Sequence, residues 1–211
     1  MVFATATPLS AQEKTQVTLP ETTLQAISNI LAPHSGLRMA YPLQLNRTNG
    51  RMLTRLRVDL EGRRENSLLI KEIKARIIRR APPLAGAFVN GPPQGDGDVV
   101  QLGFDLDSSD LSARETTVQG EFRGRYIDSK FITLQRGEQI PINVVAATAK
   151  YYCEWVIEVT VWTNGRDQKM TIDDDGRPFR STALANRYRQ EFWFQASRFI
   201  EIPPKNRVGQ R

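Results

Sequence analysis

One hairpin constrains this chain more than any other stretch. From Cys153 to Val161 the odd positions are Cys153, Trp155, Ile157, Val159 and Val161, and the even ones are Glu154, Val156, Glu158 and Thr160. Apolar residues recurring at every second position, with mostly polar ones between, mark a strand buried on one face. Asn164-Gly165 follows. Both central residues of a type I′ turn need positive φ, which Asn and Gly tolerate best. A two-residue loop sets Ile157 opposite Ile172 and Val159 opposite Met170, so the apolar residues of both strands share a face. A slip of one residue would turn every side chain over, so turn and pattern specify the same register.

The rest of the chain reads the same way. Asn49-Gly50 predicts a second hairpin, with Leu43 opposite Leu56 and Leu45 opposite Thr54. Met52, Leu56, Val58 and Leu60 then share a face, against Arg51, Arg55, Arg57 and Asp59, with Leu53 as the exception. Ser67 to Arg80 fits two patterns. Ile73, Ala75 and Ile77 alternate as in a strand, while Leu69, Ile70, Ile73 and Ile77 form a helical stripe; the strand is preferred, ending at Pro82-Pro83. Residues 82–98 and 107–120 read as loops, Asp98 to Leu106 as a strand with Val100, Leu102, Phe104 and Leu106 inward, and Phe122 to Tyr126 as an edge strand. Phe131 to Leu134 and Ile140 to Val144 flank a turn at Gly137-Glu138. Gln190 to Ile202 reads as a last strand with Phe192, Phe194 and Ala196 on one face. Residues 1–18 read as a flexible arm and 203–211 as a basic tail. One helix is expected over about 19–32: Thr18 caps it, Pro20 suits its first turn, Leu24, Ile27 and Leu31 share a face, and Pro33 stops it.

The run Thr148-Ala149-Lys150-Tyr151-Tyr152-Cys153 resembles the entry to strand F of immunoglobulin domains. There a tyrosine two residues before a cysteine forms the tyrosine corner. Tyr151 matches the tyrosine and Cys153 the cysteine. The resemblance implies a buried Tyr151 whose hydroxyl bonds to backbone a few residues upstream, and an immunoglobulin-like antiparallel β-sandwich. It carries over no binding function. The chain has one cysteine, so no inter-sheet disulfide forms, and Trp155 lies in the F-like strand itself. The fold class expected is all-β: a single sandwich of seven to nine strands over residues 19–202, with the one N-terminal helix.

Composition enters as an exclusion. The lone cysteine suits a reducing, cytoplasmic setting, and no apolar run approaches the roughly 18 residues of a membrane span. One Cys and one His cannot build a structural zinc site. His34 beside Ser35 has no Gly-x-Ser-x-Gly elbow. Asp173-Asp174-Asp175-Gly176 fails the calcium-loop rule at both ends and reads as an acidic turn with Gly176 at positive φ. The carboxylates available for hydrolysis, Asp105 with Asp107 and Glu154 with Glu158, sit on strand ends and outward faces. No metal, cofactor or catalytic constellation is expected.

Charge carries the remaining signal. The net charge is +6, and residues 51–80 hold ten Lys/Arg against four Asp/Glu, while the other residues hold nineteen of each. Arg55, Arg57, Lys74 and Arg76 are the outward residues of that segment and the candidate polyanion-binding set. The sequence therefore predicts a non-catalytic interaction or assembly module with a protein partner or its own copies. The alternatives are a nucleic-acid-associated protein, including a capsid-like shell protein, and a hydrolase with loop-borne carboxylates.

Overall fold

The computed structural model describes residues 2–8, 43–46, 50–90, 100–117, 121–195 and 198–205. The first sheet contains β1 (Val2–Pro8), β2 (Leu43–Asn46), β3 (Arg51–Gly62), β6 (Val100–Asp105), β7 (Arg114–Thr116), β8 (Phe122–Arg125) and β10 (Gln139–Thr148). Its order is β1-β3-β10-β6-β7-β8, with β2 also on β3. The second contains β4 (Leu68–Ala81), β9 (Ile132–Leu134), β11 (Tyr152–Thr163), β12 (Arg166–Ile172) and β13 (Phe179–Thr182), ordered β12-β11-β4-β9 with β13 also on β11. A small third sheet, β15-β14-β5, is formed by β5 (Ala87–Asn90), β14 (Gln190–Gln195) and β15 (Arg198–Ile202). One helical turn, α1 (Tyr126–Ser129), follows β8.

The first two sheets close on one core. Leu56, Val58, Leu60, Leu102, Phe104, Val144 and Ala146 from the first meet Leu68, Ile70, Ile73, Ala75, Cys153, Trp155, Ile157 and Val159 from the second. Alternation puts these residues inward, and two half-buried sheets bury their apolar faces only by facing each other. The chain is an all-β sandwich, but not a purely antiparallel one. β10 runs parallel to β6, and β14 parallel to β5. The first parallel pair arises because the chain leaves β6, builds β7, β8, α1 and β9, and returns along β6 in the same direction.

The β11–β12 hairpin has the expected register, Ile157↔Ile172 and Val159↔Met170, with Asn164 at φ 52° and Gly165 at φ 76°. The second hairpin is displaced. Leu43 pairs with Thr54 and Leu45 with Met52, and four residues separate the last pair, Asn46↔Arg51. Gly50 alone of the two expected turn residues is described, at φ 67°. A shift of two leaves the faces as they were, which is why the pattern could not detect it. Leu53, the exception to alternation, is buried on the outer face with Val145 and Ala147 under Phe122. Gly103 permits that cover: a Cβ there would lie 2.4 Å from the Phe122 ring.

β4 is a strand, and its mixed signal has a cause. Its pairing with β11 is irregular at two points, where Lys71 and Ile78 are extra residues. Each extra residue inverts the alternation, so buried positions run 68, 70, then 73, 75. Ile78 is left 48 % exposed.

Several segments contain more structure than expected, giving fifteen strands among the described residues rather than seven to nine. β5 lies inside the 82–98 segment and β7 inside 107–120, both read as loops. The last strand is two, paired from Glu191↔Ile202 to Gln195↔Arg198. Short edge strands depend on neighbours far along the chain, so local pattern does not reveal them. Val2–Pro8, within the segment read as an arm, pairs with β3. The helix expected over 19–32 lies outside the described residues. Among the described residues no helix is long and apolar enough to cross a membrane.

Candidate interaction cleft

At one end of the sandwich the chain crosses from the first sheet to the second. The Leu106 N–H donates to the Ala147 carbonyl at 2.9 Å, the last backbone-to-backbone bond to the first sheet before the crossing. Ala113 N–H then donates to the Ile73 carbonyl and Ala75 N–H to the Leu111 carbonyl, so the loop lands on the edge of β4. Ser112 bridges Lys74 there. Between these anchors the loop is shaped by its own side chains: Asp107 N–H donates to Asp105 Oδ1, Asp110 N–H to Ser108 Oγ, and Ser112 N–H to Asp110 Oδ1. Short polar side chains that bond backbone two residues on are the usual makers of such turns.

The gap between this loop and the end of β4 is an open cleft of about 590 Å³. Lys74, Arg76 and Arg80 line one wall, Ser108, Ser109 and Ser112 the other, with Asp110 and Glu158 at the sides. The cleft's carboxylates are already engaged. Arg76 Nε lies 2.6 Å from Glu158 Oε1, and Lys74 Nζ lies 3.9 Å from Glu158 and 3.6 Å from Glu72. Asp110 is 3.1 Å from Arg125 and 3.5 Å from Arg114. Hydrogen bonds from the Ser112 side chain and backbone, with Arg125 adding to them, hold the Asp110 carboxyl down to about 2.

The Ile78 bulge decides which face of β4 Arg80 takes. With strict alternation Arg79 would face inward; after the extra residue Arg80 pairs with Cys153 and Arg79 with Glu154. The Arg80 guanidinium donates to the Leu106 carbonyl at 2.8 Å and lies 5.6 Å from the Tyr151 ring centroid. This overturns the tyrosine-corner expectation. Tyr151 is 38 % exposed, and the buried tyrosine is its neighbour Tyr152, whose hydroxyl donates to Glu154 Oε1. The corner is held by other groups. Thr148 Oγ donates to Asp107 Oδ1 at 2.8 Å and Ala149 N–H to Asp107 Oδ2 at 2.7 Å.

The four candidate polyanion-binding residues do not form one patch. Lys74 and Arg76 lie together on the outer face of the second sheet, around Glu158. Arg55 and Arg57 share the outer face of the first sheet with Leu53 and Val145, on the opposite side of the core. Arg57 pairs with Asp59 at 3.0 Å. Two strands adjacent in sequence here belong to different layers, so their outward residues point apart.

The candidate carboxylates have structural partners. Asp105 lies 2.9 Å from Arg51, and Glu154 accepts from Tyr152. In the acidic turn Asp175 and Gly176 have φ 53° and 79°, Gly176 N–H donates to Asp173 Oδ1, and Arg177 pairs with Asp174. Cys153 is buried, and burial pushes its thiol up to about 11 despite the opposing Arg80 charge.

Sequence reasoning counted Arg80 among the basic residues of 51–80 but left it out of the candidate four, and it read 107–120 as a loop without resolving the Ser108–Ser112 wall. The signal for the wall was present in the alternating Ser108, Asp110 and Ser112, which is a turn-forming spacing. For Arg80 the charge was legible but the direction was not, because that follows from the bulge. No family model matches the chain, and neither a curated protein nor a solved structure matches it.

Proposed function

We propose that this chain is a non-catalytic interaction or assembly module, immunoglobulin-like in build, that makes its main contact through the cleft beside β4. The observation that carries the reading is the convergence of Lys74, Arg76 and Arg80 with a serine-lined loop on one opening. These groups hold a ligand by charge and hydrogen bonding, and the carboxylates beside them are neutralised by cations. Trp193 and Ile200 add support. They are cross-strand partners on the third sheet, and both are exposed, as at a contact surface. The burial of Cys153 and Trp155 in an F-like strand favours the immunoglobulin-like build, and the exposure of Tyr151 weighs against it. A cytoplasmic setting belongs to the same proposal, supported by the one unpaired, buried thiol.

Nucleic-acid association is the second reading. Its support is Trp162, exposed on the outer face of the second sheet with Lys71 Nζ 5.2 Å from its ring centroid. Size-exclusion chromatography with and without nuclease separates the two. The module reading expects an elution volume and a 260/280 nm absorbance ratio that nuclease leaves unchanged. A nuclease-sensitive peak, together with duplex or single-strand binding at 150 mM salt that is lost when Arg55, Arg57, Lys74 and Arg76 become Ser, would replace it.

A further inference from the structure

The cleft has more hydrogen-bond donors than its own acceptors use. Ser108 and Ser112 are committed to the loop, through the Asp110 N–H and the Asp110 carboxylate. Among the described residues the Ser109 N–H, the Ser109 hydroxyl and the Leu111 N–H have no protein partner, and both residues line the cleft. Facing them are Lys74 and Arg76, with side chains 34 % and 48 % exposed, and Arg80. Counting the two arginines on Asp110, five cations share three carboxylates, Asp110, Glu158 and, through Lys74, Glu72. An acceptor with several lone pairs and negative charge satisfies such a set; an amide or a hydroxyl does not.

We infer that the cleft binds an oxyanion group, a phosphate or a carboxylate, presented on an extended segment of a polypeptide partner. This rests on the module reading above and specifies the chemistry of its contact. The group sits between the Arg76 and Arg80 guanidiniums and the Ser109 backbone and hydroxyl. The cleft is much larger than a phosphate, so neighbouring residues of the segment occupy the rest of it. Ala75 and Ile77 also border the cleft.

Fluorescence anisotropy tests this with four labelled probes at 150 mM salt: a hexapeptide with one central phosphoserine, the same peptide with aspartate there, the same with unmodified serine, and a single-stranded DNA hexamer. Inorganic phosphate serves as competitor. The phosphoserine or aspartate peptide is expected to bind at least ten-fold more tightly than the serine peptide. Whichever of the two binds more tightly identifies the oxyanion, and phosphate competes if it is the phosphopeptide. Arg76→Ser should weaken that binding about ten-fold, the loss of one charge-assisted contact. Arg80→Ser also removes the bond to Leu106, so Ser109→Trp, at an exposed position, provides a second blocking variant. Circular dichroism confirms that each variant is folded. Equal binding of all three peptides overturns the oxyanion proposal and leaves the cleft as a contact. Tighter binding of the DNA, lost in Ser109→Trp, overturns the polypeptide partner. Binding of no probe, or binding indifferent to both Arg76→Ser and Ser109→Trp, overturns the cleft reading itself.

Discussion

Removing Trp155 is the sharpest test of how this fold is held together. The side chain is fully buried at the centre of the sandwich. Its ring centroid lies 5.8 Å from Phe104 in the first sheet and 5.1 Å from Phe179 in the second, so one residue ties both layers. The indole N–H donates to Ser181 Oγ at 3.0 Å, in a site closed to water. Trp155→Ala opens a cavity between two aromatic neighbours on different strands, which close-packed sheets cannot collapse to fill. The expected cost is about 3–5 kcal/mol, which for a chain of this size lowers the melting temperature by roughly 10 °C. The hydrogen bond can be isolated. Trp155→Phe keeps most ring contact and loses the donor; Ser181→Ala leaves the indole N–H buried without an acceptor, at about 1–3 kcal/mol. The double variant should cost less than the sum by about 1 kcal/mol, because it removes both partners. Urea denaturation followed by far-UV circular dichroism measures the wild type and the four variants. An alanine variant losing under about 1.5 kcal/mol, or additivity of the two conservative changes, would refute this account of the core.

Three further outcomes follow from single sites. Gly103→Ala should cost about 1–3 kcal/mol in the same denaturation assay, since its Cβ would collide with the Phe122 ring, and Phe122→Ala in the same chain should recover part of it. Asp110 contributes stability that is present above its unfolded value near 3.8 and is lost as pH falls from there towards about 2; Asp110→Asn should flatten that limb of the urea midpoint against pH. The Cys153 thiol, pushed up to about 11, should resist a thiol reagent at pH 8 in the native protein and react at once in denaturant.

What was legible in the sequence was whatever local pattern and turn chemistry fix together. The Asn164-Gly165 hairpin and its register could be read because the turn needs two residues of positive φ and the flanking strands alternate without interruption. The second hairpin kept its faces but not its register, since a two-residue shift costs the hydrophobic pattern nothing. β4 looked half helical because bulges at Lys71 and Ile78 break its period, and a broken period of two imitates one of 3.6. Tyr151 and Tyr152 were exchanged for a related reason. Two adjacent tyrosines at a corner differ only in which side of the strand they occupy, and Asp107, remote in sequence, holds the corner that decides it.

The candidate site was less legible than the fold because a site depends on direction, not on composition. Residues 51–80 concentrate the positive charge of the chain along the sequence, but β3 and β4 belong to different sheets. The core between them sends Arg55 and Arg57 one way and Lys74 and Arg76 the other. Charge clustered along a chain becomes charge clustered in space only when its strands share a layer. The cleft arises by the reverse route. Ile78 is an unremarkable residue in an apolar stretch, yet as an extra residue in β4 it turns Arg80 inward and Arg79 out. That single inversion sets a guanidinium against the Leu106 carbonyl and at the mouth of the serine loop.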